Sequence, residues 1–197
     1  ARADRHAIRA RIGLALGLES QGQSGPRVLD LYRTALAHAR ELGDPELEGE
    51  VLFRIGSLLA PFAGAGPGLA YLDSALHALP PGGAPDIRAN VRCRRAQILI
   101  ATAGPGAEDS LRLASELARA GDDPDALGFC LRAEGVLYRL RGEGDSAEVA
   151  QEALIALRRR IRDRSGLAVA LTIRADQLRA GGDFGGSQRV FRGAAAE

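Results

Sequence analysis

The chain has 197 residues, 46% of them hydrophobic and 26% charged, the balance of a folded chain rather than a disordered one. Its 26 basic positions are all arginine, and 25 acidic residues nearly cancel them to leave a net charge of +1. That balance gives no general reason to expect a nucleic-acid or membrane-surface protein, and the lack of lysine excludes Walker-type phosphate binding, Schiff-base chemistry and a kinase-type strand lysine.

Methionine is absent even at residue 1, so the chain is expected to be a piece of a longer protein. Its arginine-only, alanine-rich and glycine-rich usage fits a GC-rich bacterial genome. With eight aromatic residues and no tryptophan, the core must be built from Leu, Ala, Ile and Val. Cys93 and Cys130 are too few for a disulfide framework and are read as reduced thiols of a cytoplasmic protein.

In chain order, Arg2, Arg5, Arg9 and Arg11 precede the apolar stretch 12–18. Glu19 follows at once, so this is an amphipathic helix rather than a signal peptide. Helices are then predicted in pairs, the first members over 3–20, 45–60, 85–102, 124–141 and 166–180. The second members fall at 26–42, 67–79, 106–120, 145–162 and 184–196. The first helices of the later pairs begin where the chain reads Asp44 and Pro45, Ala84 and Pro85, Asp123 and Pro124, and Arg164 and Ser165, in steps of 40, 39 and 41 residues. Proline is tolerated in a first helical turn. Glycine-rich breaks at 64–66, 104–106, 142–144 and 181–182 split each unit in two. The uncharged run 55–72 reaches the length of a short membrane span, but Pro61, Gly64, Gly66, Pro67 and Gly68 interrupt it, and it is read as two helix ends meeting at an apolar loop.

An internal alignment supports a repeat. A small residue recurs in the first helices at Gly13, Gly56, Ala96, Gly135 and Ala175, followed three positions later by Leu16, Leu59, Leu99, Tyr138 and Leu178. The second helices carry Ala35, Ala75, Ala114, Ala156 and Ala194. Seven positions earlier stand Val28, Gly68, Ala107, Val149 and Ser187, and three positions earlier Tyr32, Leu72, Leu111, Ala153 and Phe191. Small residues on one face admit a close helix neighbour. In this alignment the fourth unit carries about two extra turn residues, and Arg95 stands where an apolar residue is expected.

The array resembles tetratricopeptide-type repeats of the longer form, with a period near 40, found in bacterial signalling proteins. The last unit carries the resemblance best, through Ala175, Leu178, the turn Gly182, Asp183 and Phe184, and then Ser187, Phe191 and Ala194. The resemblance implies an all-α fold: a right-handed superhelical solenoid of about five antiparallel helix pairs, 3–42, 45–79, 85–120, 124–162 and 166–196, forming a single domain over 1–197. It also implies a concave side lined by the first helices, which receives a peptide or protein segment. On that side would stand Glu50, Phe53 and Ser57; Asn90, Cys93 and Gln97; Phe129, Arg132, Val136 and Arg139; and Val169, Thr172, Asp176 and Arg179. The lysine/asparagine clamp by which some members hold a C-terminal carboxylate is missing.

No catalytic or metal-binding constellation accompanies the repeat: His6, His38 and His77 fall in three different units, and HExxH and CxxC are absent. The cluster Arg158, Arg159, Arg160, Arg162 and Arg164 is read as a solvated face suited to a helix C-terminus, not a nucleic-acid site. The expectation is therefore a non-enzymatic, cytoplasmic module without cofactor, metal, nucleic acid or membrane partner. It would form the sensor or regulatory part of a multidomain bacterial signalling protein or transcriptional regulator. Its partner-binding residues would be Asn90, Gln97, Arg132, Arg139, Asp176 and Arg179, and its ligand an acidic or phosphorylated protein segment. The alternative is a structural or oligomerising scaffold whose groove is filled by its own parent chain. Self-association through the repeat ends is expected, because Val190 and Phe191 would face an empty end.

Overall fold

Short connections between long helices set the architecture of the computed structural model, which describes residues 2–23 and 25–194. Among the described residues there are ten helices and no strand: α1 (Arg2–Ser20), α2 (Pro26–Leu42), α3 (Pro45–Ala63), α4 (Ala65–Ala78), α5 (Pro85–Ala101), α6 (Ala107–Ala120), α7 (Pro124–Leu140), α8 (Gly144–Arg160), α9 (Arg164–Ala180) and α10 (Phe184–Ala194). The fold is all-α. The uncharged run 55–72 is broken at Gly64, whose φ of 91° favours glycine. No helix among the described residues is long and apolar enough to cross a membrane.

The helices start and stop for local reasons. Asp44 caps α3, its carboxylate accepting from the Leu47 N–H at 3.1 Å. Asp163 caps α9 through the Gly166 N–H at 2.9 Å, and Asp183 takes the Gly186 N–H at 2.7 Å. One turn geometry recurs. Gly104 N–H donates to the Leu99 carbonyl, Glu143 to Tyr138 and Asp183 to Leu178, at 2.7, 2.9 and 2.8 Å. Each is the six-residue closing bond that satisfies a helix end. The acceptors are three of the large residues that the alignment singles out, spaced 39 and 40 residues apart.

The chain divides into two compact units, the first ending at Cys130 and the second beginning at Leu131, so the boundary falls inside α7. In the first unit α1 packs on α2, α3 on α4 and α5 on α6, and α3 also touches α5. The core runs through Ile8, Ile12, Val28, Tyr32, Leu47, Val51, Ile55, Leu72 and Val91. The tightest contact joins α3 to α4: a Cβ on Gly56 would lie 2.9 Å from the Gly68 carbonyl oxygen, and one on Gly68 would lie 2.8 Å from Ala60 Cβ. In the second unit α8 packs on α9 and α9 on α10. Gln151, buried in α8, donates to the Ala170 carbonyl of α9 at 2.7 Å. Arg174 of α9 reaches Glu148, with Glu152 at 3.8 Å.

Several expectations need correction. Gly13 is exposed with nothing near its missing side chain, whereas Ala15, two residues on, is fully buried. The contact position of the first unit therefore stands 41 residues before Gly56. In α8, Val149, Ala153 and Ala156 are exposed and the buried set is Ala147, Ala150, Gln151, Leu154, Ile155 and Leu157. The inserted turn residues do not exist: Ala107, Ala147 and Ser187 follow one another at steps of 40. In the last helix Ser187 is buried and Phe191 is 42% exposed, while the side chain of Ala194 and residues 195–197 lie outside the described residues. Finally, Cys93 and Cys130 are not free thiols. Their Cα atoms are 5.0 Å apart and the sulfurs are bonded, joining α5 to α7. A pair 37 residues apart in sequence gives no spacing signature of its own.

Two outcomes follow from this packing. Gly56→Val should lower stability by about 1–3 kcal/mol, while Ala156→Leu should stay within about 0.5 kcal/mol, as read by urea denaturation. Burial of the Asp44 carboxyl pushes its pKa up, but the Leu47 N–H and the Arg5 guanidinium outweigh that and hold it below the usual carboxylate value. Its contribution is full above the unfolded pKa of about 3.9 and is lost as pH falls through the lower, folded value. Asp44→Asn should therefore flatten the acid limb of the stability–pH curve relative to the native chain.

Candidate functional site

The sequence places Arg132, Val136 and Arg139 on one side of α7, four and then three residues apart. Both arginines are exposed. Desolvation lowers the Arg132 pKa first, and the guanidinium of Arg158, at the end of α8, lowers it further. Desolvation alone does the same to Arg139. Neither has a carboxylate within ion-pair distance among the described residues. Arg139 folds back along its own helix, so that a Cβ on Gly135 would stand 3.6 Å from its Nη1. The bare backbone at Gly135 leaves room for that path.

Arg158 is drawn elsewhere. Its guanidinium meets the Asp163 carboxylate at 3.0 Å, with only 11% of its side chain exposed. Asp163 is the residue that caps α9. One member of the arginine cluster at 158–164 is thus a packed strut in the α8–α9 corner, not a solvated charge. Two guanidiniums, Arg132 and Arg158, lie in electrostatic reach of one another, and Arg158 has the Asp163 carboxylate as a partner.

The other expected site residues have internal partners. Arg179 reaches Asp176, three residues before it on α9, at 3.4 Å, and both side chains are 57% exposed. Such a pair is weak and readily exchanged. In the first unit the Asn90 amide donates to Asp123, just before α7, and Gln97 accepts from Arg94. Arg94 also donates to the Ser57 carbonyl on α3 at 3.1 Å. Asn90 therefore joins α5 to the segment before α7, while Gln97 holds Arg94 on their shared helix α5.

Phe53 and Cys93, expected on an open inward side, are buried. Phe53 meets Phe129 edge to face, ring centroids 6.1 Å apart, which brings α3 against α7. In this unit α3 and α5 are thus each tied to α7, by an aromatic pair and by a disulfide.

Sequence reasoning missed a polar cluster beneath the first helices. Tyr32 of α2 is wholly buried. Burial pushes its pKa up, and the nearby Glu19 carboxylate adds to the rise. Burial also raises the pKa of Glu19, against the Tyr32 hydroxyl and the Arg54 guanidinium. Tyr32 was visible only as the large member of the packing stripe; nothing local in sequence ties it to Glu19 or Arg54. Between α2 and the end of α3 lies an open apolar cleft of about 480 Å³, lined by Pro26, Leu29, Leu58, Leu59 and Phe62. Among the described residues, no group of three or more His, Cys, Asp or Glu gathers as a metal site.

Compared with known proteins, the chain matches no family model, and no curated protein matches it.

A desolvated guanidinium beside a like charge contributes nothing to the fold through pairing. Arg132→Gln should therefore leave the urea midpoint unchanged or raise it, whereas Arg174→Gln should lower it. A fall with Arg132→Gln as large as that with Arg174→Gln would show that Arg132 is a structural strut.

Proposed function

We propose that the chain is a protein-interaction module of the tetratricopeptide-like kind, in which about five helix pairs stack as a right-handed superhelix. Its exposed arginine face on α7 receives an acidic or phosphorylated protein segment. The observation that carries the reading is the pair Arg132 and Arg139 on one helix face, exposed and without a carboxylate partner among the described residues. A guanidinium presents a planar set of donors that matches carboxylate and phosphate bidentately. Arg179, whose exposed pairing with Asp176 is easily displaced, supplies a further cation from α9. The repeat character is supported by the recurring turn bond at Leu99, Tyr138 and Leu178. The module would have no chemistry of its own. It would serve as the sensor or regulatory part of a larger cytoplasmic regulator, whose activity resides in other domains.

One observation favours the scaffold reading for the first unit. There Phe53, Phe129 and the Cys93–Cys130 bond already tie α3 and α5 to α7, which suits a structural element filled by its own chain. The two readings divide between units: scaffold up to Cys130, ligand contact beyond it.

The test is fluorescence anisotropy with an acidic peptide of alternating Glu and Ser, unphosphorylated and phosphorylated. Replacing Arg132, Arg139 and Arg179 together by glutamine should weaken binding at least about tenfold, since a charge-assisted hydrogen bond contributes about 1.5–3 kcal/mol. Binding to the native chain should weaken further as salt shortens the screening length below about 8 Å. Equal affinity of the two proteins, both with an intact helical spectrum, would reject the site.

A further inference from the structure

The bond between Cys93 and Cys130 stands in a particular setting. Both residues are buried, at 0% and 1% exposure. On α5 the buried residues four before and three after Cys93 are Ala89 and Ala96, and on α7 the residue four before Cys130 is Ala126. Single methyl groups bury little apolar area, and hydrophobic holding power scales with that area. The large buried side chains of the first unit before α7 lie in α1 to α6, and α7 sets the partly buried Phe129 against the main core cluster. The ties of the first half of α7 to its unit include the Phe53–Phe129 contact, the Asn90–Asp123 bond and the disulfide. Of these only the disulfide is covalent, and it stands two residues before Arg132.

We propose that the Cys93–Cys130 bond is a redox-controlled clasp on α7: oxidised, it holds the first half of the helix on the α1–α6 core; reduced, it lets that segment open while the core persists. The chemistry requires a dithiol reductant. One thiolate of the dithiol attacks a protein sulfur, the Cys93–Cys130 bond breaks, and the other cysteine leaves as a thiolate. The second thiol of the dithiol then attacks the mixed disulfide and expels the remaining protein thiolate. Two electrons pass to the protein pair, the dithiol becomes a disulfide, and the two protein thiolates take up protons released by the dithiol. Because both sulfurs are buried, attack waits on local opening of α7, so the reduction rate follows that opening.

As a gate on Arg132 and Arg139, the clasp rests on the acidic-segment reading above. As a gate on α7, it does not. The test is amide hydrogen exchange on the full chain, oxidised and after dithiothreitol, with free thiols counted by mass after alkylation. The oxidised chain should show no free thiol. Reduction should speed exchange in the first half of α7 at least about tenfold while α1 to α4 keep their protection. Cys93→Ser with Cys130→Ser should match the reduced state in either condition. Two free thiols in the untreated chain, or unchanged exchange in α7 after reduction, would overturn the proposal. So would loss of protection across α1 to α4, which would make the bond a global staple. Peptide affinity is read in parallel. If α7 loosens and no acidic peptide binds either form, the clasp stands and the ligand reading falls. If the peptide binds both forms while α7 exchange is unchanged, the clasp falls and the ligand reading stands.

Discussion

Close approach of paired helices across glycine and alanine is the constraint on which this fold turns. At Gly56 and Gly68 the backbones meet so nearly that a single added carbon would touch the opposite carbonyl. Such contacts gain dispersion between backbones, but they bury less apolar surface than interdigitated leucines would. The chain offsets this with directed interactions at the helix ends and seams: aspartate caps on α3, α9 and α10, the buried Gln151 bond, and Arg174 between two glutamates. The disulfide belongs to the same logic. Its cysteines stand one helical turn from the buried Ala89, Ala96 and Ala126.

Helix existence and period were legible because proline and glycine punctuate the chain at steady steps. Every predicted helix is present, with ends shifted by a few residues. What failed was register within helices. Around Gly13 the sequence offers Gly13, Ala15 and Gly17 within two turns, and any of them satisfies a small-residue rule. Only the packing of Ile8 and Ile12 selects Ala15. In α8 the exposed Ala153 and Ala156 lie alongside the buried Ala147 and Ala150, so counting small residues chose the wrong face. Leu154 and Gln151 are a large and a polar residue where the other units have smaller or apolar ones, and the alignment stepped past both.

The candidate site was partly legible for a related reason. Spacing alone put Arg132 and Arg139 on one helix side, and the structure leaves both exposed. It could not show that Arg158, 26 residues beyond Arg132 in a cluster of like charges, turns inward onto Asp163 and approaches Arg132. Nor could spacing reveal the disulfide. Two cysteines in separate helices become neighbours only through the stacking that brings α5 beside α7.

An arginine-only chain makes informative the arginines that lack a carboxylate partner among the described residues. Arginine carries five donors in a rigid plane, so one side chain can join several backbone or side-chain acceptors where lysine offers a point charge. The structure uses this repeatedly. Arg88 spans the carbonyls of Leu79, Pro80 and Gly83, closing the chain beyond α4. Arg95, the residue that looks out of place in the repeat, reaches Asp73 on α4 at 2.8 Å and Ser110 on α6 at 3.3 Å. Arg94 spans Ser57 and Gln97. These residues explain how polar side chains can stand at the seams of an alanine-rich helical array: each one exchanges hydration for several fixed acceptors. Arg132 and Arg139 carry the same donors on one face of α7 without such acceptors, and burial of their stems already disfavours their charge. Packing needs explain the first group and leave the second unexplained, which is why the α7 face, rather than the arginine-rich end of α8, carries the proposed site for an acidic ligand.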